Sequence, residues 1–455
     1  MADVHHEQAV VIGAGLAGLA AAVYLEEHGI SAQVIEAQSR VGGRVHSMNQ
    51  HGGNKEAGGT YIGAGYKSVI RAAKNHGIEL IDVTPTLEFF REQELVLNGE
   101  VIRQSQWPNH PANPFPKKDK SLMPWNYNRV LTVRENPLKT PEQWLDTDQA
   151  YNDISLHEWM RGLGLSDDAI SLAYGMNVSF GSNAHDVSAL LMFFRAAFSS
   201  AQRKHSQNGI IGFTALNGVQ RIPEAMASAL KKETHLGKVV KSINATGRSI
   251  EIRCADDTIY KTHHVICSLP LGALCDVAIN PPLSELQRQA ILEVPSQPTT
   301  QVFLAHKSKF WEFDDLKPSM FTDGVAGMVA AARNGGNPTE VTSFTAWTMG
   351  SNAKRLDALP AEAAGKLVIQ AIEEIRPSAR GQLEFLGLKS WGTDPFARGG
   401  WAYFRPGQIT RFCKAMRVPH GKIHFCGEHL SIANRGMEGA MESGKRAAQE
   451  IIDKG

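Results

Sequence analysis

The chain has 455 residues and a formal net charge of +1, with 42% hydrophobic and 20% charged residues. This length exceeds what one hydrophobic core supports, so we expect two or more lobes. The balanced charge excludes a bulk electrostatic attraction for nucleic acid or an anionic membrane, and the composition is that of a soluble globular enzyme.

Cysteine usage and the N-terminus bear on the compartment. The five cysteines are odd in number and form no CxxC pair, which favours reduced thiols. The N-terminal residues lack the basic start and apolar stretch of a signal peptide. The most apolar run, Ala9 to Leu25, contains the glycines of a nucleotide-binding pattern, which argues against a membrane span. We predict a cytoplasmic protein that binds neither membrane nor nucleic acid; whether it is a monomer or a homodimer stays open.

The first elements form a recognisable unit. Residues Gln8 to Ile12 are predicted as a buried strand, Leu16 to His28 as a helix, and Ala32 to Ile35 as a second strand. This is the βαβ unit that opens many doubly wound α/β folds.

A glycine motif lies between the first strand and the helix. It reads Gly13-Ala14-Gly15-Leu16-Ala17-Gly18, and Glu36 ends the second strand. Gly13 permits a tight turn, Gly15 lets backbone approach a pyrophosphate, and Gly18 allows close helix–strand packing. An acid about 20 residues further on can accept hydrogen bonds from a ribose diol. The motif predicts a dinucleotide but does not separate NAD from FAD, so a nicotinamide dehydrogenase is an alternative.

The next segment favours FAD. Gly42, Gly43 and Arg44 follow the acid closely, and their backbone N–H groups and guanidinium can hold the pyrophosphate from its other side. Here the sequence resembles the flavin-containing amine oxidase family, which includes monoamine and polyamine oxidases. The segment Glu56 to Gly63 is similar to that family's next motif, in which Gly58, Gly59 and Thr60 pass beside the isoalloxazine ring.

The stretch from Trp107 to Thr147 changes character, because prolines recur there among Trp, Asn and Lys residues. We expect little regular structure in it. A surface loop or disordered linker is one interpretation, and a loop that covers a site or makes a subunit contact is another.

Further elements are predicted towards the C-terminus. A capping box, Ser155 to Glu158, indicates the start of a helix. Other helices are predicted at Val187–Ala197, Pro360–Ile375 and Met437–Ile452, and strands at Ser249–Arg253, Val265–Ser268, Gln301–Ala305, Thr342–Thr348 and Ile423–Phe425.

The resemblance continues through these elements. Segments 217–223 and 268–272 are similar to the turns that lead into and out of the family's flavin domain, and Val240 matches the valine whose backbone meets adenine. Phe425 to Glu428 and Gly436 to Ala440 match its C-terminal flavin motif. The resemblance implies an α/β fold: a Rossmann-type FAD-binding domain (1–85, 205–285 and 390–455) with a second, discontinuous α+β substrate domain (86–204 and 286–389).

The C-terminal motif has a physical reason. Gly436 and Met437 are expected to begin the last helix, whose N–H groups and dipole would face the flavin N1–C2=O edge, while Glu428 reaches the ribityl or pyrophosphate region. The cofactor-binding residues that we predict are Gly13, Ala14, Gly15, Leu16, Ala17, Gly18, Glu36, Ala37, Gly42, Gly43, Arg44, Gly58, Gly59, Thr60, Val240, Gly427, Glu428, Gly436, Met437 and Ala440.

The sequence departs from the family pattern at three places. The segment 399–407 lacks the cysteine through which some relatives attach flavin, so FAD should be bound non-covalently. Of the two aromatic residues that flank the amine in many relatives, Trp401 is our candidate for one, with Tyr403 as its alternative, and Gly436 stands at the other position. Trp401 packing a lobe interface is an equal interpretation. Gln301 stands where many relatives have a lysine linked to oxygen reactivity, which argues against rapid reoxidation by O₂. An ordinary strand residue is an equal interpretation of Gln301.

These observations predict an FAD-dependent enzyme that oxidises the C–N bond of a small amine, by hydride transfer to flavin N5 and hydrolysis of the imine. Reoxidation by O₂ would give hydrogen peroxide, and another acceptor is the alternative. Trp401, Gln301 and Tyr403 are the predicted catalytic residues, and no metal site is predicted. An L-amino-acid oxidase is a second hypothesis, although the arginine that often follows the glycine pair there is replaced by Thr60-Tyr61-Ile62. A carbon–carbon desaturase and a non-catalytic flavoprotein, docking through the Pro-rich segment, are further alternatives.

Overall fold

A computed structural model describes residues 3–48, 55–87, 93–204, 209–247, 249–333, 337 and 339–454. The strands in this part of the chain are β1 Val4–Ile12, β2 Ala32–Ile35, β3 His46–Met48, β4 Lys55–Gly58, β5 Ile62–Gly63, β6 Leu80–Asp82, β7 Gln93–Leu97, β8 Glu100–Ile102, β9 Gly212–Ala215, β10 Val240–Asn244, β11 Ile250–Cys254, β12 Ile259–Cys267, β13 Ala278–Asn280, β14 Thr299–His306, β15 Ser319–Thr322, β16 Met328–Ala332, β17 Ser343–Met349, β18 Leu383–Ser390 and β19 Ile423–Phe425.

The helices in the same ranges are α1 Leu16–Glu27, α2 Lys67–Asn75, α3 Thr84–Leu87, α4 Pro124–Arg134, α5 Leu156–Gly162, α6 Asp167–Gly175, α7 Ala189–Lys204, α8 Arg221–Ser228, α9 Leu271–Leu274, α10 Glu285–Glu293, α11 Phe310–Phe313, α12 Ser351–Asp357, α13 Ala361–Ile375, α14 Gln408–Met416 and α15 Gly436–Ile452. None of these helices is both long and apolar enough to cross a membrane.

A seven-stranded sheet contains the predicted βαβ unit. Its order is β13-β10-β11-β12-β1-β2, and β19 also pairs with β12. β1 lies between β2 and β12 and is parallel to both. The apolar run at the end of β1 is completely buried, as expected for a parallel strand that is covered on both faces.

Helices α1 and α15 pack against each other beside this sheet. The contact depends on small residues, because a Cβ placed on Gly444 would lie 2.1 Å from the carbonyl oxygen of Ala17. Five of the twelve residues of α1 are alanine or glycine, so its backbone can come close to both the sheet and α15. The first and last helices of the chain therefore share one core.

A second seven-stranded sheet has the order β18-β14-β17-β16-β15-β7-β8. In the antiparallel register around β14, Gln301 lies opposite Trp347 on β17 and Lys389 on β18. Helix α13 packs on this sheet, and a Cβ on Gly365 would lie 2.3 Å from the ring of Phe385. Two smaller sheets, β3-β4 and β5-β9-β6, complete the pairing among the described residues.

The prediction of little regular structure in the Pro-rich stretch, residues 107–147, was wrong. It contains α4 and short 3₁₀ turns, and Pro124 occupies the first turn of α4, where a missing N–H costs nothing. Its aromatic side chains are buried: the rings of Phe115 and Tyr127 stack at 3.9 Å, and Trp144 stacks on Phe194 at 4.4 Å. The segment is thus part of the hydrophobic core, neither a surface loop nor a disordered linker.

Most other predicted elements are confirmed with small changes in their ends. β2 and β19 have the predicted bounds, whereas β1 begins four residues earlier and α7 continues to Lys204. The predicted cap of α5 is present, because the Ser155 hydroxyl accepts a hydrogen bond from the Glu158 N–H at 3.0 Å.

Candidate flavin and amine site

The two glycine-rich loops of the N-terminal region touch. Gly13 and Gly42 have φ values of +101° and +103°, which side-chain-bearing residues rarely adopt. The Gly42 N–H donates to the carbonyl oxygen of Ala14 at 2.8 Å, and a Cβ on Gly43 would lie 3.4 Å from the Cα of Gly15. The loops therefore form one continuous backbone surface.

This surface has room for a phosphate group at Gly15. A Cβ added there meets no atom within 4 Å, whereas a Cβ on Gly18 would lie 1.9 Å from the Gly13 carbonyl oxygen. No side chain caps α1, so the N–H groups of its first turn, Leu16 to Gly18, are free to bind an anion. The residues present fit the diphosphate of a dinucleotide.

Glu36 ends β2 with its side chain 6% exposed. Its carboxylate accepts hydrogen bonds from the N–H groups of Ala14, at 2.7 Å, and Gln38, at 2.9 Å, and burial raises its pKa. The Glu36 backbone runs next to the segment 235–238, through hydrogen bonds with His235 and Lys238 at 2.8 Å, and the predicted residue Ala37 follows it. That segment leads into β10 at Val240, so the chain that contacts the predicted ribose residue lies two positions before the predicted adenine residue.

Arg44 joins three distant segments. Its guanidinium donates to the Glu428 carboxylate at 3.0 Å and to the Gly400 carbonyl oxygen at 3.2 Å. Glu428 also accepts the Ala402 N–H at 2.8 Å. The N-terminal glycine loop, the 399–407 segment and the C-terminal motif are therefore brought to one place, as the resemblance implied.

The second glycine pair lies between Arg44 and α15. A Cβ on Gly58 would lie 2.2 Å from the Arg44 carbonyl oxygen, and one on Gly59 would lie 3.3 Å from the sulfur of Met437. Thr60 follows this turn, and Ala440 lies in the first turns of α15. Preceding α15, the Gly427 N–H donates to the Ser443 hydroxyl at 2.9 Å, which fixes the C-terminal motif on the helix.

The N-terminus of α15 is open. No side chain caps it, and Gly436 is exposed with a φ of +55°. A Cβ on Gly436 would lie 3.8 Å from the hydroxyl oxygen of Tyr66, whose pKa burial raises to about 12. Tyr66 therefore faces the position where many relatives have the second aromatic residue and this chain has Gly436. The motif analysis did not identify Tyr66.

The three predicted catalytic residues differ in their surroundings. Trp401 is half-buried, and its indole N–H donates to the Ser179 carbonyl oxygen at 3.1 Å. Tyr403 is 4% exposed and packs near Phe180, so it presents little surface. Gln301 is buried on β14, and its side-chain oxygen has no hydrogen-bond partner among the described residues.

Tyr61 follows the second glycine pair. It is 40% exposed, and burial raises its pKa. Three arginines near Trp401 and Gly436, at positions 129, 195 and 435, were also missed by the sequence motifs, and their placement is described below.

Comparisons with known proteins agree with this geometry. The family model for flavin containing amine oxidoreductase matches residues 16–452. A flavin-containing amine oxidase of Danio rerio is 27% identical over 467 residues, covering 97% of this chain and 85% of that protein. The human flavin-containing amine oxidase B is 26% identical over 466 residues, with the same coverage.

Solved structures share the fold. An engineered putrescine oxidase has a TM-score of 0.80 at 22% identity, covering 99% of this chain and 100% of that one. Cyclohexylamine oxidase from Brevibacterium oxydans has a TM-score of 0.77 at 20% identity, covering 98% and 99%. These likenesses confirm the predicted two-domain FAD-binding amine oxidase fold. Since the family model covers nearly the whole chain, the protein belongs to the flavin-containing amine oxidoreductases and is an FAD-dependent enzyme that oxidises amines.

Proposed function

We propose that the enzyme oxidises the carbon–nitrogen bond of a small amine to an imine, which water then hydrolyses. FAD, when bound, would supply the two-electron acceptor for a hydride from the carbon that carries nitrogen, and O₂ or another acceptor would reoxidise it. The proposal rests on one observation. Arg44, Gly59 and Met437, which belong to the cofactor motifs, lie close together beside Trp401 and Tyr66. The cofactor motifs therefore adjoin an aromatic cleft.

We assign FAD binding to the predicted residues. The N–H groups at Gly15 and the start of α1 would hold the diphosphate, and Glu36 would hold the ribose with the oxygen capacity left by its two backbone partners. Arg44 is kept in place by Glu428. We propose that the cofactor is bound without a covalent link, because segment 399–407 contains no cysteine.

The residues that face the amine are assigned next. Trp401 and Tyr66 would form the aromatic walls, with the Trp401 ring oriented by its hydrogen bond to Ser179. The amine must bind as the neutral base, because a protonated nitrogen has no lone pair with which to form the imine. No carboxylate or histidine is assigned as a base. Holding the amine in a water-poor cleft and orienting its C–H bond are the tasks of the protein.

The domain division is also a proposal. The strands of the first seven-stranded sheet fall within 1–85, 205–285 and 390–455, and those of the second fall within 86–204 and 286–390. This supports a flavin domain built on the first sheet and a substrate domain built on the second, with a boundary near Ser390.

An anaerobic reduction screen tests the proposal. The holoenzyme is mixed with primary, secondary and amino-acid amines without O₂, and the loss of flavin absorbance is followed. We expect bleaching with a first-order limit at saturating amine and release of a carbonyl product. If dithionite bleaches the flavin but none of the amines does, the proposed reaction is wrong. Mixing the reduced enzyme with O₂, with a cytochrome or with a dye then identifies the acceptor.

A further inference from the structure

Three arginines form a group beside Trp401 and Gly436: two are on helices, and the third is the N-cap residue of α15. Arg129 is on α4, Arg195 is on α7, and Arg435 immediately precedes α15. In the described part of the chain, none of the three guanidiniums forms an ion pair with a carboxylate. The group, here called the arginine cluster, is therefore a concentration of positive charge.

Contacts place the arginine cluster beside the proposed amine site. Arg195 donates to the Ser179 hydroxyl at 2.9 Å, and Trp401 donates to the carbonyl oxygen of the same serine. The Arg435 guanidinium lies 4.9 Å from the ring of Phe180 and 5.8 Å from that of Phe194. One nitrogen of Arg435 is buried without a hydrogen-bond partner among the described residues. Ser179 therefore holds both Arg195 of the cluster and Trp401 in position.

The charges also act on one another. Burial and the neighbouring Arg195 charge lower the pKa of Arg435 to about 10, against the opposing effects of Glu428 and Tyr66. Burial lowers the pKa of Arg129, and Arg195 again adds to the effect. The Arg129 side chain is exposed to solvent. The Arg195 charge therefore acts on both other cations.

A fully buried arginine elsewhere in the fold has its own counterion. The Arg376 side chain is 2% exposed, and its guanidinium binds both oxygens of Asp314, at 2.6 and 2.9 Å. An ion pair of this kind is the ordinary arrangement for a buried charge. Arg195 and Arg435 are half-buried, Arg129 is exposed, and the described residues supply none of them with such a partner, so the arginine cluster is open to a negative charge from outside the chain.

Nearby carboxylates are already engaged. Glu428 binds Arg44, Glu438 accepts the N–H groups of Ser68 and Val69, and Glu442 accepts those of Ile432 and Asn434. In addition, Arg435 stands at the N-cap of α15, where the helix dipole disfavours a cation. Because these carboxylates have other partners and the helix dipole adds positive potential, the arginine cluster should attract an anion.

We infer that the arginine cluster binds an anionic group of the substrate, so that the enzyme acts on amines that also carry a carboxylate. This inference rests on the proposed function and narrows its substrate class. Guanidinium groups bind carboxylates through paired, charge-assisted hydrogen bonds. The same charges repel an ammonium group, which keeps the reacting nitrogen neutral and excludes diamines with a second cation. The cluster would thus orient the substrate by holding its carboxylate, so that the reacting C–H bond faces the proposed flavin position.

The first test measures binding without turnover. The holoenzyme is titrated with straight-chain and phenyl-substituted carboxylates and with their primary amides, following the flavin absorbance. We expect the best carboxylate to bind about 10- to 100-fold more tightly than its matched amide, the loss typical of removing a charged hydrogen-bond partner. A phosphonate series shows whether the site takes any anion or a carboxylate. Equal affinities for carboxylates and amides would overturn the inference.

Variants locate the binding. Arg195→Met and Arg435→Met should each weaken carboxylate binding about tenfold or more and leave amide binding unchanged, whereas Arg435→Lys should restore part of it. Arg355→Met, at an exposed arginine of α12, is the matched control and should change neither. If Arg435→Met shifts the flavin reduction potential while carboxylate affinity stays the same, the arginines act on the cofactor and the inference is wrong.

The substrate test separates this inference from the proposed function. The anaerobic enzyme is mixed with L-phenylalanine, with phenethylamine and with putrescine. Faster flavin bleaching by L-phenylalanine than by the two amines without a carboxylate supports both the proposed function and the role of the arginine cluster. Bleaching by phenethylamine or putrescine alone, with no carboxylate binding, leaves amine oxidation standing and overturns the role of the arginine cluster. No bleaching by any amine, with tight carboxylate binding retained, overturns the proposed reaction instead.

Discussion

The Arg44 guanidinium donates to the Glu428 carboxylate at 3.0 Å across 384 positions of the chain. Both side chains are mostly buried, with 22% and 15% of their surface exposed. The bond fixes the loop at Gly42 and Gly43 against the segment that leads into α15. The N-terminal and C-terminal parts of the proposed cofactor site are therefore held at a constant separation.

Glu428→Gln should therefore weaken FAD binding. The amide can still accept the Ala402 N–H but no longer neutralises Arg44, and losing one hydrogen bond to a charged group costs about 1.5–3 kcal/mol, or about 10- to 100-fold in affinity. FAD binding to the apoprotein is measured by the quenching of flavin fluorescence. Glu27→Gln, at an exposed position of α1, should not differ from wild type. An unchanged affinity in Glu428→Gln would show that the pair has no part in binding FAD.

Substitutions at two glycines of the first loop, Gly15 and Gly18, should distinguish an effect on FAD binding from an effect on folding stability. Gly15 has a φ of −77° and open space around a Cβ, so Gly15→Ala should leave the thermal midpoint of the apoprotein unchanged. The added methyl group would stand where the diphosphate must approach, so FAD affinity should fall by about tenfold or more. Gly18→Ala, with a Cβ 1.9 Å from the Gly13 carbonyl oxygen, should instead destabilise the fold by about 1–3 kcal/mol. Equal effects of the two substitutions on stability would contradict this assignment.

Glu56 makes the stability depend on pH. Its carboxylate accepts the Ser47 hydroxyl at 2.8 Å and the Val219 N–H at 2.9 Å, and burial outweighs both and raises its pKa to about 7. The folded state therefore binds a proton that the unfolded state releases above its ordinary pKa of 4.5. This stabilisation is fully present below that pKa and is lost as the pH rises through about 7.

Glu56→Gln should remove this dependence. The amide oxygen can accept the Val219 N–H, the amide NH₂ can donate to the Ser47 hydroxyl oxygen, and the side chain carries no charge. The variant should therefore be more stable than wild type by about 1–3 kcal/mol at pH 8 and equal to it near pH 4.5. Thermal midpoints of the two proteins across this pH range provide the measurement. A difference that does not change with pH would show that Glu56 does not titrate in this range.

The cofactor half of the site could be predicted from the sequence because local backbone demands determine it. A tight turn at Gly13 and a close helix contact at Gly18 each require glycine, and Glu36 follows at the end of a short apolar strand. The spacing of such patterns does not depend on tertiary contacts with the rest of the chain. The predicted strands β2 and β19 are correct for the same reason: a short apolar run between turns has few alternatives.

The amine half could not be predicted in the same way. The residues proposed around Trp401, which are Tyr66, Ser179, Arg195 and Arg435, approach one another only through tertiary packing. The Pro-rich stretch was misjudged because proline frequency indicated a loop, whereas the burial of Trp107 and Trp144 depends on helices elsewhere in the chain. Burial of an aromatic residue in irregular backbone leaves no periodic signal in the sequence.

The last prediction concerns the electron acceptor and Gln301. This side chain is 3% exposed, and its oxygen has no hydrogen-bond partner among the described residues. Lys389 lies opposite it on β18, but the Lys389 ammonium is neutralised by Asp394 at 2.7 Å. Hence no free cation is seen among the described side chains next to Gln301 in the sheet, and wild-type reoxidation by O₂ should be slow.

Gln301→Lys should accelerate reoxidation by O₂, because a positive charge stabilises the negative charge that develops on O₂ as it accepts an electron. We expect about a tenfold increase, which corresponds to about 1.4 kcal/mol of barrier, while the rate of anaerobic reduction by amine changes less. The measurement is stopped-flow mixing of the reduced enzyme with O₂. Gln301→Leu, which removes the oxygen without adding charge, should show no increase. If both variants reoxidise at the wild-type rate, position 301 does not control the choice of acceptor, and the charge that matters lies elsewhere in the cleft.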